Sequence, residues 1–337
     1  MHIQHNVDLA PFTTFGIHAV AESFVEVSTI EELRKAIAWA QAANTPFKVL
    51  GSGSNILVTD DVAGLIIRIR IMGRTSTVEA SSATIHCGAG ENWHSIVQWS
   101  VENGWGGLEN LALIPGTVGA APMQNIGAYG TEQSSCFVEL QALDVTTGIV
   151  ATVTKDECAF GYRESIFKRD LRHQMVITSV TYRLATAPVV NVSYRDVAEE
   201  LHSCAVIEPQ VADVFDAVVA IRQRKLPDPR VIGNAGSFFK NPVVDLDTYA
   251  QLVAAHPTMP SYAQADGTYK LAAAWLIDQC GWKGYRSGDA GVHDRQALVL
   301  VNHGNAVGSQ LLELSMRIQH QVQDQFGVDL EREINVW

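Results

Sequence analysis

The chain has 337 residues, 47% of them hydrophobic and 18% charged, a balance that excludes an intrinsically disordered chain and a membrane-embedded one. Its formal net charge of −12 argues against a general nucleic-acid binder, because phosphate backbones are held by clustered positive charge. The length admits two or three domains with substantial cores.

In chain order, the N-terminal "MHIQHNVDLAPFTTFGIHA" lacks a basic start followed by an apolar run, so no secretory signal is expected. "AESFVEVST" reads as a strand and "IEELRKAIAWAQAAN" as an amphipathic helix, capped by Ser28 or Thr29 with Glu31 and Glu32 in its first turn. "PFKVLG" is a second strand running into "GSGSNILV". "GLIIRI", "ATIHCGAG", "FVELQALDV", "GIVATVT" and "QMVITSVTYRL" have β-rich composition, interrupted by the helix "NWHSIVQWSVENG". Helical patterns return with "VADVFDAVVAIRQRKL", "YKLAAAWLIDQC" and "SQLLELSMRIQHQVQDQFG". "RQALVLVN" and "VDLEREINV" read as extended, which completes an α+β arrangement. No stretch approaches a transmembrane span.

The five cysteines form no C-x-x-C pair and point to a reducing, cytoplasmic setting. The eleven histidines show no metal-binding spacing, so no metal is expected. "GSGSNILV" follows a strand but has Ile56 where a dinucleotide fingerprint needs its third glycine, which disfavours a Rossmann site. Two readings stay open there: a nest of main-chain N–H groups for a pyrophosphate, or a tight turn. The segment Gly107–Gly130, "GLENLALIPGTVGAAPMQNIGAYG", is rich in small residues, as suits backbone pressed against a large flat ligand or a glycine-rich packing turn. In "IRQRKLPDPR", Arg222, Arg224, Lys225 and Arg230 form a basic island that suits a small polyanion or a solvated helix end. "NAGSFFKNP", Asn234–Pro242, sets a hydroxyl, a cation and an amide beside two aromatic rings, without the G-x-S-x-G pattern of a nucleophile elbow.

Together with "FTTFGIHA", "FGYRESIFK", "KLAAAWLIDQCGWKG" and "LEREI", these segments resemble, in order and over nearly the whole chain, the UDP-N-acetylenolpyruvoylglucosamine reductase (UDP-N-acetylmuramate dehydrogenase) family. "NVSYRDVAEEL" resembles the longer form of that family, whose insertion bears a tyrosine matched here by Tyr194; the following Arg195 departs from the Gly or Pro often found there. The resemblance implies a monomeric cytoplasmic α+β flavoenzyme of peptidoglycan synthesis, with a vanillyl-alcohol-oxidase (PCMH-type) FAD-binding fold and a C-terminal substrate domain. It implies FAD subdomains at 1–70 (rejoined by 328–337) and 71–218, and a substrate domain at 219–327. NADPH would be the reductant and the enolpyruvyl ether of UDP-N-acetylglucosamine the substrate.

Carried over residue by residue, the resemblance places FAD on Gly51, Ser52, Gly53, Ser54, Asn55, Ile56, Pro115, Gly116, Gly119, Ala120, Gln124, Asn125, Gly127, Ala128, Tyr129 and Arg222. It places substrate on Tyr162, Tyr194, Lys225 and Asn241, and the chemistry on Ser237, Arg163 and Glu333. Hydride addition to the terminal enolpyruvyl carbon leaves an enolate that needs stabilisation and a proton. Ser237 is the expected proton donor, Arg163 the partner of the substrate carboxylate, and Glu333 a carboxyl that must carry its proton to avoid repelling the enolate. A turn hydroxyl is the structural alternative for Ser237, and a surface salt bridge that for Glu333 or the nearby Glu331. One accessible flavin face for both reductant and substrate implies ping-pong turnover. An oxygen-using oxidase on the same fold, or a non-catalytic nucleotide-sugar binder, are the competing functional readings.

Overall fold

The computed structural model describes all 337 residues. Two compact units divide the chain: Met1–Val7, Ala21–Ser52 and Ala63–Arg224 form the first, and Asp8–Val20, Gly53–Val62 and Lys225–Trp337 the second.

The first unit begins with a four-stranded sheet in the order Gln4–Asp8, Val20–Val27, Val62–Ile69, Phe47–Leu50, whose last two strands run parallel from Phe47↔Leu65 to Leu50↔Arg68. Its crossover helix α1, Ile30–Ala42, starts where Thr29 accepts the Glu32 N–H at 3.1 Å while the Glu32 carboxylate accepts the Ser28 N–H at 2.8 Å. Of the two candidate caps, Thr29 therefore serves, and Glu32 reaches back to the N–H of the residue before that cap. Leu33, Ala36, Ile37 and Ala40 recur at three- and four-residue steps and are the buried face.

A five-stranded antiparallel sheet follows, ordered Val150–Thr154, Phe137–Asp144, Met175–Ala185, Ser82–Gly88, Arg74–Val78. The central strand is buried continuously from Val176 to Val180, the polar Thr178 and Ser179 included. Helix α2 (Trp93–Glu102), capped by the Asn92 side chain, lies between these strands in sequence; α3 (Arg195–Ser203) and α4 (Val211–Lys225) follow them. Leu65 and Ile67 of the first sheet, Ile85 and Val180 of the second, Trp93 of α2, and Val218 and Ile221 of α4 share one apolar core.

The second unit is built on a sheet ordered Gly233–Ser237, Val299–Asn302, Ala290–Val292, Arg286–Ser287. Helices α5 (Leu246–Ala255), α6 (Ala273–Gln279) and α7 (Gly308–Phe326) accompany it. In α7, Leu311, Leu314, Ile318, Val322 and Phe326 are buried and join Val292 and Leu300 in a second core. Gly308 opens α7 with its Cα so near the main chain that an added Cβ would stand 1.8 Å from the Val58 carbonyl oxygen.

The sequence predicts a helix through "YKLAAAWLIDQC", and here the structure differs. Tyr269–Leu271 is the central strand of a three-stranded sheet with Val243–Val244 and Ser261–Ala263, and the helix starts only at Ala273. Tyr269 stacks on Tyr249 with ring centroids 3.7 Å apart, and Leu271 is fully buried, so tertiary packing decides the local conformation. Of the extended segment "VDLEREINV", only Asn335–Val336 forms a ladder, parallel to Ile56–Leu57. No helix is long and apolar enough to cross a membrane.

Candidate active site

In the second unit, Ser237 ends the strand Gly233–Ser237, opposite Val299, after an irregularity in register between Asn234 and Ser237. Gly236 has φ 71°, a left-handed turn that re-aims the chain just before the serine. The Asn234 side chain holds this bend: its oxygen accepts the Gly236 N–H at 3.0 Å and its amide donates to the Ile232 carbonyl at 2.9 Å. Beyond the serine, the Glu333 N–H donates to the Phe238 carbonyl at 2.9 Å, Phe239 bridges Arg332, and the Lys240 N–H donates to the Glu331 carbonyl at 2.9 Å. Ser237 and Glu333, far apart in sequence, are thus carried by adjoining backbone. Glu331 is different: its carboxylate pairs with Lys240, and it is 72% exposed.

The main chain of Asn55 anchors the same segment. Its carbonyl accepts the Asn335 N–H at 3.0 Å, while its side-chain amide donates to the Glu333 carbonyl at 3.3 Å. Gly53, at φ 64°, has no room for a side chain, since a Cβ would stand 2.1 Å from the Phe12 carbonyl oxygen, and its own carbonyl accepts the Thr14 N–H at 3.1 Å. The Asn241 side-chain oxygen accepts the Ala273 N–H at 3.0 Å and so starts α6, which commits one of its polar groups to the fold. Lys225 ends α4.

In the first unit, the segment from Leu113 to Gly130 is bent repeatedly into the left-handed region: Leu113 (φ 56°), Gly116 (142°), Asn125 (44°), Tyr129 (49°) and Gly130 (77°). Such backbone is costly for residues other than glycine and persists where the surroundings over-determine it. Asn125 is buried, and its amide donates to Glu132 at 2.7 Å and to the Gly161 carbonyl at 3.1 Å, while its oxygen accepts from Gln133 at 3.2 Å and from the Ser134 N–H at 3.3 Å. Arg163, itself at φ 55°, donates from Nη2 to the Gly127 carbonyl at 2.8 Å and lies 5.5 Å from the Tyr162 ring centre. A Cβ on Gly127 would stand 3.3 Å from Arg163 Nη1. Farther back, a Cβ on Gly119 would meet that of Ala89 at 2.6 Å, and one on Gly51 would meet Thr117 Oγ1 at 2.9 Å. Pro115 and Ala120 are exposed.

Tyr129 and Tyr194 meet edge to face, with ring centres 5.2 Å apart. Asn191 of the insertion donates to the Gly130 carbonyl at 3.0 Å, and Asn110 donates both to the Tyr129 carbonyl at 3.1 Å and to the Asn191 carbonyl at 2.9 Å. The Arg222 guanidinium bonds the Tyr129 hydroxyl, burial lowers its affinity for its proton, and its Nε is a buried donor with no hydrogen-bond acceptor. No carboxylate pairs with it. A buried cation without an acid suits an anionic ligand such as a phosphate. This orphan donor and the small-residue strip fit a dinucleotide such as FAD.

The sequence-predicted residues therefore fall into two groups. Arg163, Tyr162, Tyr129, Tyr194, Asn125, Gly127 and Arg222 gather in the first unit, while Ser237, Glu333, Asn241, Lys225 and Asn55 belong to the second. Asn110 and Glu132, which hold Tyr129 and Asn125 in place, escape sequence reasoning because no motif spacing marks a side chain whose partner is set by tertiary folding. No cluster of three or more His, Cys, Asp or Glu is present that could hold a metal ion.

Comparison with known proteins adds the chemistry. Residues 228–337 match the family model for the C-terminal domain of UDP-N-acetylenolpyruvoylglucosamine reductase, and residues 21–154 match an FAD binding domain. The UDP-N-acetylenolpyruvoylglucosamine reductase of Chromobacterium violaceum is 47% identical over 99% of this chain and 98% of its own. That of Burkholderia multivorans is 51% identical over 96% of this chain and 94% of its own. The crystal structure of UDP-N-acetylenolpyruvylglucosamine reductase from Thermus caldophilus, 27% identical, superposes with a TM-score of 0.69 and covers 100% of this chain and 99% of that one. 6-Hydroxy-D-nicotine oxidase from Arthrobacter nicotinovorans, 13% identical at a TM-score of 0.50, shares the fold alone. The chain is a flavin-dependent oxidoreductase and belongs to the UDP-N-acetylenolpyruvoylglucosamine reductase family.

Proposed function

We propose that the chain reduces UDP-N-acetylglucosamine enolpyruvate to UDP-N-acetylmuramate with electrons from NADPH, in the cytoplasm and as a monomer. The observation that carries this reading is the hydrogen bond from the Glu333 N–H to the Phe238 carbonyl, which holds the strand bearing Ser237 beside the segment bearing Glu333. Gly51–Ile56, Pro115, Gly116, Gly119, Ala120, Gln124, Asn125, Gly127–Tyr129 and Arg222 would hold FAD. When bound, FAD supplies the hydride added to the terminal carbon of the enolpyruvyl double bond.

The remaining work belongs to side chains. The Arg163 guanidinium binds the substrate carboxylate as a planar donor fork and offsets the charge that gathers there. Ser237 gives its hydroxyl proton to the carbon beside that carboxylate. The acceptor is a strongly basic enolate carbon, so a neutral alcohol suffices as the acid where cations and donors support the developing alkoxide. Glu333, carrying its proton, donates a hydrogen bond to the enolate oxygen without opposing its charge. Lys225 and Asn241 bind the UDP moiety, with Tyr162 and Tyr194 closing on the substrate. We retain the finer division into FAD subdomains 1–70 (with 328–337) and 71–218 and a substrate domain 219–327.

The test is anaerobic. NADPH bleaches the flavin band of the holoenzyme, and adding UDP-N-acetylglucosamine enolpyruvate in heavy water restores it, with one solvent deuterium appearing on the carbon next to the carboxyl of the product. A product without solvent deuterium at that carbon would falsify the proton-transfer step, and a band that stays bleached would remove the proposed substrate.

A further inference from the structure

Helix α2 begins on the strip that the proposed function gives to FAD, and its first residues, with those just before them, bond that strip repeatedly. The Trp93 indole N–H donates to the Leu111 carbonyl at 3.0 Å, and the Trp93 main-chain N–H to the Gly116 carbonyl at 3.1 Å. Just upstream, the Val118 N–H donates to the Glu91 carbonyl at 2.9 Å and the Gly119 N–H to the Ala89 carbonyl at 2.9 Å. One titratable side chain takes part. His94 Nδ1 accepts the N–H of Leu113 at 3.1 Å, and Leu113 is the left-handed residue with which the strip opens.

A backbone N–H is an obligatory donor, so Nδ1 must be the lone-pair nitrogen and the imidazole must be neutral with its proton on Nε2. The rest of the pocket enforces the same state. The ring stacks on Phe215 of α4, with centroids 5.6 Å apart and planes within 2°, and the charged group that acts on it is Arg222, also of α4. No acid opposes Arg222, whose other titratable neighbour is the Tyr129 hydroxyl. An imidazolium at position 94 would turn one N–H against another and place a second cation beside a buried guanidinium.

We infer that His94 is a positioning residue for FAD: its neutral Nε2–H form latches Leu113 and, with Trp93, sets the path of the strip from residue 111 to 119 on which the cofactor rests. Burial and Arg222 both lower the proton affinity of His94 from its ordinary 6.5. The latch is therefore complete above about pH 6.5 and is lost as the pH falls through the lower value of the folded protein. This inference rests on the reading that the strip binds FAD.

The experiment compares wild-type holoenzyme with His94→Gln, which keeps an acceptor but cannot titrate, and His94→Phe, which keeps the stack but loses the acceptor. FAD release is followed by flavin fluorescence from pH 5 to 8, and the nitrogen-15 signals of His94 are recorded on the same wild-type holoenzyme. Expected are an unprotonated Nδ1 at pH 7.5, wild-type affinity that declines in acid, a flat profile for His94→Gln, and a loss of about tenfold or more at all pH values for His94→Phe, as for a buried donor left unmet. A protonated Nδ1 at pH 7.5, or acid-dependent release that persists unchanged in His94→Gln, overturns the latch. An Nε2–H imidazole together with wild-type FAD affinity in His94→Phe also overturns the inference, and locates the fault in the assignment of the strip to FAD.

Discussion

The two units hold their candidate residues by different means. In the first unit, Asn125, Tyr129 and Arg163 sit on left-handed backbone and are fixed by bonds from side chains to distant carbonyls. In the second, Ser237 and Glu333 ride on paired main chain. Where a functional side chain is also a structural strut, changing it alters binding, geometry and stability together. Where the backbone does the holding, chemistry can be removed with the fold left standing.

Ser237→Ala breaks the comparison most severely if it is mistaken. It should lower the rate of flavin reoxidation by the enolpyruvyl substrate by about 10²- to 10⁴-fold, the usual worth of a positioned general acid, with flavin reduction by NADPH and the melting temperature close to wild type. Stopped-flow absorbance of the two half-reactions separates these effects, and an equal loss in both would remove the proton-donor role. Next in size is Arg163→Lys. Losing the planar fork should cost about ten- to a hundredfold in substrate reduction, and losing the Nη2 bond to Gly127 should lower thermal stability as well, which calorimetry on the same sample reports. A pure rate effect with unchanged stability would contradict the strut description of the first unit.

Glu331→Gln is the smallest. Its carboxylate pairs with Lys240 from an exposed position, so stability should change by less than about 1 kcal/mol and turnover should stay near wild type. A large loss of turnover would move the catalytic carboxyl from Glu333 to Glu331.

Much of this is legible in the sequence. Four strands of the five-stranded sheet and the helices α1, α2, α4 and α7 follow from composition, apolar periodicity and caps, and the order of motifs points to the family; the fifth strand, Arg74–Val78, is exposed throughout and carries no apolar signal. "YKL" reads as helix because a short apolar run followed by alanines has no periodicity to separate strand from helix, and only the Tyr249 stack and two flanking strands decide it. The partners of Asn125 and Asn110 are hidden for another reason. A side chain that bonds a remote carbonyl leaves no spacing rule in the sequence, and "ENWH" shows nothing of the Leu113 N–H that His94 accepts.

The short parallel ladder between Ile56–Leu57 and Asn335–Val336 joins residues that lie 279 positions apart in the chain. At a synthesis rate of about 5–20 residues per second, the earlier stretch emerges from the ribosome tens of seconds before its partner exists. Asn55 and its neighbours must spend that interval without the strand they finally pair with, so this edge stays open in the nascent chain until residues 335 and 336 have been made.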